Sequence, residues 1–311
     1  MRIAVFGTGG VGGNFGGLLA RVGHDVAFIA RGEHLQAMHQ SGLKISTNED
    51  EFVIQPVWAT DDPVEIGEVD VVLVCVKAWQ VEQAALAIRP MVGPDTMVVT
   101  LQNGVEAPEQ LSQVLGPSHV LGGLCLTFSY IVEPGHVRAG GGSIQFGELD
   151  NRKSERVSKL REVFESTGVN VSVPEHIHAA LWQKFLMINA FSGIGSITRA
   201  PAAVWRNLPE TREMFEQVSQ EVLAVAKAKH IPVAETAIDE AASLMDRVPS
   251  NFRASMQRDI MNGQRSELEF QNGAVVRFAQ ELGVAAPVNT FIYQSLLPLE
   301  LQAQGKLEFP S

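Results

Sequence analysis

Two textures divide the chain. In the first, short apolar runs alternate with segments of helical character. Ile3–Phe6 is a strand-like run, followed by glycines and then by a helix reaching about Val22. His24–Ala30 reads as the second strand and Gly32–Ser41 as its helix. Val69–Lys77 (VDVVLVCVK) is apolar at nearly every position, as expected of a strand covered on both faces of a parallel sheet. Trp79–Met91 continues as helix, Thr96–Leu101 as strand and Glu106–Leu115 as helix. This alternation predicts a parallel sheet flanked by helices. Between about Val120 and Gly147 the pattern breaks into short, glycine-rich extended pieces, which predicts a hairpin-rich extension of that sheet. A helix over Arg156–Ser166 and a strand over Val169–Val173 close this part.

After Pro174 the texture is helical. Phe215, Val218, Val222 and Val225 recur at spacings of three and four, one face of an amphipathic helix. Ser250, behind Pro249, has the character of an N-cap and Asn262-Gly263 that of a stop. A further helix is expected from near Ser266 to Gly283, and a last one around Val288–Leu297. The expected domains are residues 1–173 and residues 174–311.

Composition narrows the function. The chain has 24 Lys plus Arg against 35 Asp plus Glu, a formal net charge of −11. That balance argues against nucleic acid or an anionic membrane as partner. No apolar stretch approaches the roughly 18 residues of a membrane span, and the apolar run in MRIAVFGTGG is too short for a signal-peptide core. A cytoplasmic protein is expected. Cys75 and Cys125 lie in apolar runs, without a CxxC pair or a nearby His, so reduced thiols and no metal site are expected.

Gly7-Thr-Gly9-Gly-Val-Gly12 matches GxGxxG between a predicted strand and a predicted helix, the context in which the pattern is specific for dinucleotides. Gly7 allows the tight turn, Gly9 lets backbone approach a pyrophosphate, and Gly12 lets helix pack on strand. The first domain therefore reads as a Rossmann-type dinucleotide-binding α/β domain, followed by an all-helical C-terminal domain. The second strand ends at Arg31 with no acid at its tip, where an NAD site would place one for the ribose 2′-OH. A guanidinium there suits the 2′-phosphate of NADP, and NADPH is the expected cofactor; the alternative is a solvated loop arginine. Lys77 and Asn103 each follow a strand, where ligands of open α/β sheets lie. A strand-ending surface lysine and an Asn-Gly turn explain them equally well.

Ala179–Phe191 (AALWQKFLMINAF) is apolar around most of a helix, so Lys184 is either costly and functional or snorkels past Ala180 to water. In Ser266-Glu-Leu-Glu269 the spacing is that of a capping box, with Ser266 as N-cap and Glu269 as its partner. Glu267 then falls in the first helical turn, and Ser255 and Asn251 could be capping or surface residues. The Tyr–Lys pair of short-chain dehydrogenases is absent, as are GxxxxGK[ST], HExxH and GxSxG. Metal-free hydride transfer with a nicotinamide cofactor is what remains.

Taken in order, GTGGVG, Arg31, VCVKAWQ, LQNG, LWQKFL, SELEFQNG and GVAAPVNT resemble the ketopantoate reductases (2-dehydropantoate 2-reductases) over nearly the whole chain. The resemblance implies reduction of the 2-keto group of ketopantoate by NADPH, in pantothenate biosynthesis. It implies Lys184 as general acid, and Glu267 as the group holding Lys184 or a substrate hydroxyl. Asn103 and Ser255 would contact substrate, with Gly7, Gly9, Gly12, Arg31, Lys77 and Asn103 at the cofactor. Two stretches depart from the family pattern. Ile188 stands where an asparagine commonly follows the lysine by one turn, and Asn189 comes one residue late. Ser192–Thr198 replaces an Asn-Pro-Leu-Thr stretch. Both are expected to line the substrate side, so a related reductase or dehydrogenase acting on a different small keto or hydroxy acid is the runner-up. A non-catalytic NADPH-binding sensor is the alternative of another class. The apolar helices are compatible with a homodimer or with intramolecular packing.

Overall fold

The structure, a computed structural model, describes residues 1–140 and 142–310; Gly141, within the glycine-rich stretch, and Ser311 lie outside it. Two compact units are present. Met1–Gln102 with Glu106–His178 form one, and Asn103–Val105 with Ala179–Ser311 form the other.

The α/β unit runs β1 (Arg2–Phe6), α1 (Gly10–Arg21), β2 (Asp25–Ile29), α2 (Gly32–Ser41), β3 (Leu43–Ser46), β4 (Glu51–Ile54), β5 (Trp58–Thr60), α3 (Pro63–Ile66) and β6 (Val69–Val74). It continues with α4 (Val81–Ala87), β7 (Val92–Thr100), α5 (Ala107–Leu115), β8 (Val120–Leu126), β9 (Tyr130–Glu133), β10 (His136–Arg138), β11 (Ser143–Glu148), α6 (Glu155–Glu165) and β12 (Asn170–Ser172). The main sheet has the order β12-β11-β8-β7-β6-β1-β2-β5. All its pairings are parallel except β8 with β11. Alternate residues of its central strands feed two cores, as the period of a strand requires. Ile3, Val5, Val71 and Leu73 pack with Phe15 of α1 and Phe164 of α6. Ala4, Phe6, Val72 and Val74 pack with Val81 of α4 and Leu111 of α5.

The chain leaves β1 toward β2 and returns on the other side through β6 and β7. The order therefore reverses at β1, which places a ligand crevice at the carboxyl ends of β1 and β6. The expected strand over Val69–Lys77 ends at Val74. Cys75 N–H still reaches Phe6 O, but from Lys77 the backbone turns into a short 3-10 segment, Ala78–Gln80. The β9–β10 hairpin does not extend the main sheet. It joins β3 and β4, which the sequence pattern did not reveal, in a separate sheet of order β4-β3-β10-β9. Helix α1 lies between the two sheets. A side chain at Gly16 would strike Val5 and Phe28 of the main sheet, and one at Gly17 would strike Ile45 of the second.

The helical unit comprises α7 (Ile177–Thr198, shared at its first turn with the α/β unit), α8 (Ala202–Trp205), α9 (Pro209–Ala228), α10 (Ala237–Arg247), α11 (Ser255–Met261), α12 (Asn272–Leu282) and α13 (Pro287–Ala303). The predicted stripe Phe215, Val218, Val222 and Val225 lies in its core. Two helix starts differ from expectation. Helix α11 begins at Ser255 behind Ala254, and Ser250 instead spends its carbonyl on Ala203 N–H. No helix begins at Ser266: a 3-10 turn, Leu268–Phe270, precedes α12, with Gln271 (φ −112°, ψ −103°) breaking the two apart. The capping box is also absent. Ser266 Oγ donates to the distant Glu300, while Glu269 binds Arg277 and Tyr293.

Candidate active site

The glycine loop closes the carboxyl end of β1. Gly7 has φ +101°, and a side chain there would strike Val76 of the segment after β6. A Cβ on Gly12 would lie 2.2 Å from Gly7 O, so loop and helix touch backbone to backbone. Thr8 Oγ donates to Ile29 O at 3.0 Å, tying the loop to β2. Gly9 differs from both neighbours: nothing lies within 4 Å of where its side chain would begin. It is the N-cap of α1, with no side-chain cap and no acid in the first helical turn. First-turn N–H groups and the positive end of the helix dipole thus face an open cradle, which fits a pyrophosphate.

Arg31 is the N-cap of α2, exposed at the carboxyl end of β2, and the first acid beyond it, Glu33, is also exposed. Lys77 follows the end of β6, with its ammonium 5.7 Å from the Trp79 ring centre. Burial pushes the nearby Cys75 thiol well up, with a smaller contribution from Cys125, so it stays a neutral thiol beneath the loop. Among the described residues no cluster of His, Cys, Asp and Glu could hold a metal ion.

The helical unit gathers a second set of groups. Lys184 lies within α7 at 9% exposure. Among the described residues it makes no hydrogen bond or ion pair. Glu267, at 3% exposure, sits in the connection that leads to the 3-10 turn. Asn103 belongs to this unit rather than to the strand it follows, and its Nδ2 donates to Glu267 Oε2 at 3.2 Å. Gly104 (φ +112°) lets the same loop approach Phe270 O, which a Cβ would meet at 3.1 Å. Ser255 opens α11 and makes no hydrogen bond to Lys184 or Glu267. Asn103 and Glu267 therefore meet, whereas Lys184 and Glu267 share no direct bond.

Asn189 was expected on the substrate side, but its amide is fully buried in the helical core. Its Nδ2 donates to Asn289 Oδ1 at 2.6 Å, which also receives Asn272 Nδ2 at 3.0 Å. Asn289 Nδ2 donates in turn to Glu221 Oε2 at 2.7 Å, and Glu221 takes the Val288 and Asn289 N–H groups at the start of α13. This chain locks α7, α9, α12 and α13 to one another. Ser192 and Ser196 are fully buried as well. Glu300 is the other group that sequence reasoning passed over. The available signal was an acid inside the apolar run LLPLELQA.

A glycine-rich turn at the carboxyl end of β1 in a doubly wound sheet, followed by a helical unit, is the framework of an NAD(P)-dependent oxidoreductase. More particularly, the chain belongs to the ketopantoate reductase PanE/ApbA family. Residues 3–151 match the model of ketopantoate reductase PanE/ApbA, and residues 176–300 match the model of its C-terminal part. A 2-dehydropantoate 2-reductase of Halobacterium salinarum is 32% identical over 297 residues, 93% of this chain and 95% of its own. The uncharacterized oxidoreductase YkpB of Bacillus subtilis is 29% identical over 304 residues, 97% of this chain and 100% of its own. The crystal structure of a PanE/ApbA family ketopantoate reductase from Ralstonia eutropha JMP134 superimposes with a TM-score of 0.90 at 30% identity, covering 98% of this chain and 100% of that one.

Proposed function

We propose that this protein is an NADPH-dependent reductase of a 2-keto acid, with 2-dehydropantoate as the leading substrate and pantoate as the product. The observation that carries the reading is Lys184. Lys184 is 9% exposed in an apolar helix and has no acid partner among the described residues, an arrangement that costs stability and suits a proton donor. Bound NADPH would supply the hydride. The glycine loop and the N-terminus of α1 would hold its pyrophosphate, Arg31 its 2′-phosphate, and Lys77 and Asn103 its nicotinamide half.

Lys184 Nζ donates a hydrogen bond to the keto oxygen, stabilises the oxyanion as it forms, and passes it a proton that solvent later restores. Glu267 shares no bond with Lys184, which favours the second of its two roles, accepting a hydroxyl of the substrate. Asn103 holds the carboxylate for that task, and Ser255 contacts substrate. Burial of Asn189 and of residues 192–196 leaves Ile188, Ile197 and Thr198 as the departures that bear on substrate choice, with other small keto or hydroxy acids as the alternative. A cytoplasmic address belongs to the same reading. A homodimer is part of the same reading.

The test is NADPH oxidation, followed by absorbance, with 2-dehydropantoate beside a panel of 2-keto acids. Turnover of 2-dehydropantoate above the others is expected. Preference for another acid would move the substrate, and no turnover of any would defeat the reading.

A further inference from the structure

The buried carboxylate of Glu300 fixes the backbone on both sides of Glu267. Glu300 sits on α13 at 3% exposure. Its Oε2 accepts Ser266 N–H at 3.0 Å and Ser266 Oγ–H at 2.6 Å. With its proton committed to Glu300, Ser266 Oγ offers its lone pairs elsewhere and accepts Leu268 N–H at 3.2 Å. One carboxylate thereby sets residue 266 directly and residue 268 through a hydroxyl, with Glu267 between them. The remaining oxygen, Oε1, is occupied by Gln304 Nε2 at 2.8 Å.

The same helix grips the far side of the turn. Tyr293, two helical turns before Glu300, donates to Glu269 Oε2 at 2.7 Å, and Arg277 Nη1 takes Glu269 Oε1 at 2.6 Å. Burial, reinforced by the Glu269 carboxylate, pushes the Tyr293 phenol up to about 12, so the donor stays protonated at any ordinary pH. The Glu267 segment is thus held on α13 at two points. Glu267 lies on a single 3-10 turn, its carbonyl taking Phe270 N–H at 3.0 Å, and Gln271 breaks that turn from α12; the side-chain bonds from α13 reinforce this short ladder.

We propose that Glu300 is a positioning residue for Glu267, acting through Ser266. The proposal rests on the reading of Glu267 given above. It does not make Glu300 touch substrate or cofactor.

The test uses the full-length protein with Glu300→Gln, which keeps shape but weakens the acceptor, and Ser266→Ala, which removes the hydroxyl bonds to Glu300 and Leu268 and keeps the backbone one to Glu300. Gln304→Ala, which leaves Ser266 untouched, is the control. NADPH affinity, the kcat and KM of the best 2-keto acid, and amide exchange over residues 264–271 are measured. Both test variants should bind NADPH as the wild type does, exchange faster at 266–268, and lose roughly 10- to 100-fold in kcat/KM, the scale of a small misplacement at a reacting centre. Gln304→Ala should match wild type. Folded variants with wild-type kcat/KM would overturn the proposal, as would activity falling only in step with the NADPH-binding fraction. Should wild type turn over no keto acid, the functional reading fails. Exchange at 266–268 then decides the brace alone, unchanged protection overturning it and accelerated exchange supporting it.

Discussion

Asn103 donates to Glu267 across 164 positions of chain, and the bond is 3.2 Å long. With Gly104 against Phe270 O and Val105 against the helical core, it is one of the contacts that pack the loop after β7 with the helical unit. Hydrogen bonds to charged groups are worth about 1.5–3 kcal/mol, so Asn103→Ala should cost roughly 10- to 100-fold in kcat/KM. A double-mutant cycle sharpens this. If Asn103 acts through Glu267, adding Asn103→Ala to Glu267→Gln should cost little more than Glu267→Gln alone. Full additivity would show that Asn103 works independently.

The glycine loop separates folding from binding. At Gly9 an added methyl meets open space, whereas at Gly12 it meets the Gly7 carbonyl oxygen. Gly9→Ala should therefore melt as wild type does while losing roughly tenfold or more in NADPH affinity, about 1.4 kcal/mol. Gly12→Ala should lose stability first, by about 1–3 kcal/mol for an overpacked contact. Thermal melts with and without NADPH distinguish the two. A stable Gly9→Ala variant with wild-type affinity would remove the pyrophosphate from this cradle.

Acid should probe one buried pair. Burial alone would raise the Glu148 carboxyl, but Arg156 (Nε to Oε1 2.7 Å, Nη2 to Oε2 2.6 Å), with Ser154 and Arg152, draws it below the usual glutamate range. A depressed folded-state value stabilises the fold fully above the unfolded value, and that stabilisation disappears as pH falls through the folded one. The advantage of wild type over Glu148→Gln should accordingly be present at pH 7 and shrink in acid. Arg156→Ala, which leaves the buried carboxylate only Ser154 and Arg152, should cost about 1–3 kcal/mol at neutral pH. Melting temperatures measured from pH 7 to pH 3 check both.

Parallel strands were legible because burial on both faces makes them continuous apolar runs, as in Val69–Val74. The four-stranded sheet was not. Its strands are only three or four residues long, and the apolar residues of β4 (Phe52-Val53-Ile54) and β9 (Tyr130-Ile131-Val132) are consecutive and largely exposed, so neither strand shows the in–out alternation of a half-buried strand. The candidate residues Lys184 and Glu267 stood out as charges in apolar or motif-bearing contexts, and both prove buried. What failed were local rules overridden by distant partners. Ser266 looks like an N-cap three residues before a glutamate, yet its hydroxyl is taken by Glu300, 34 positions on. Asn189, one residue out of family register, is claimed by Asn289, 100 positions on. No window of sequence contains either partner.

Lys184 bears the central claim, and Lys184→Met tests it most directly, because Met keeps the stem and removes the charge. Turnover of the preferred 2-keto acid should fall by roughly 10²–10⁴, the usual worth of a positioned proton donor, with NADPH binding intact. The melting temperature should hold or rise, since a charge on a largely buried side chain without an acid partner is removed. Turnover close to wild type in a folded, NADPH-binding Lys184→Met protein would contradict the account.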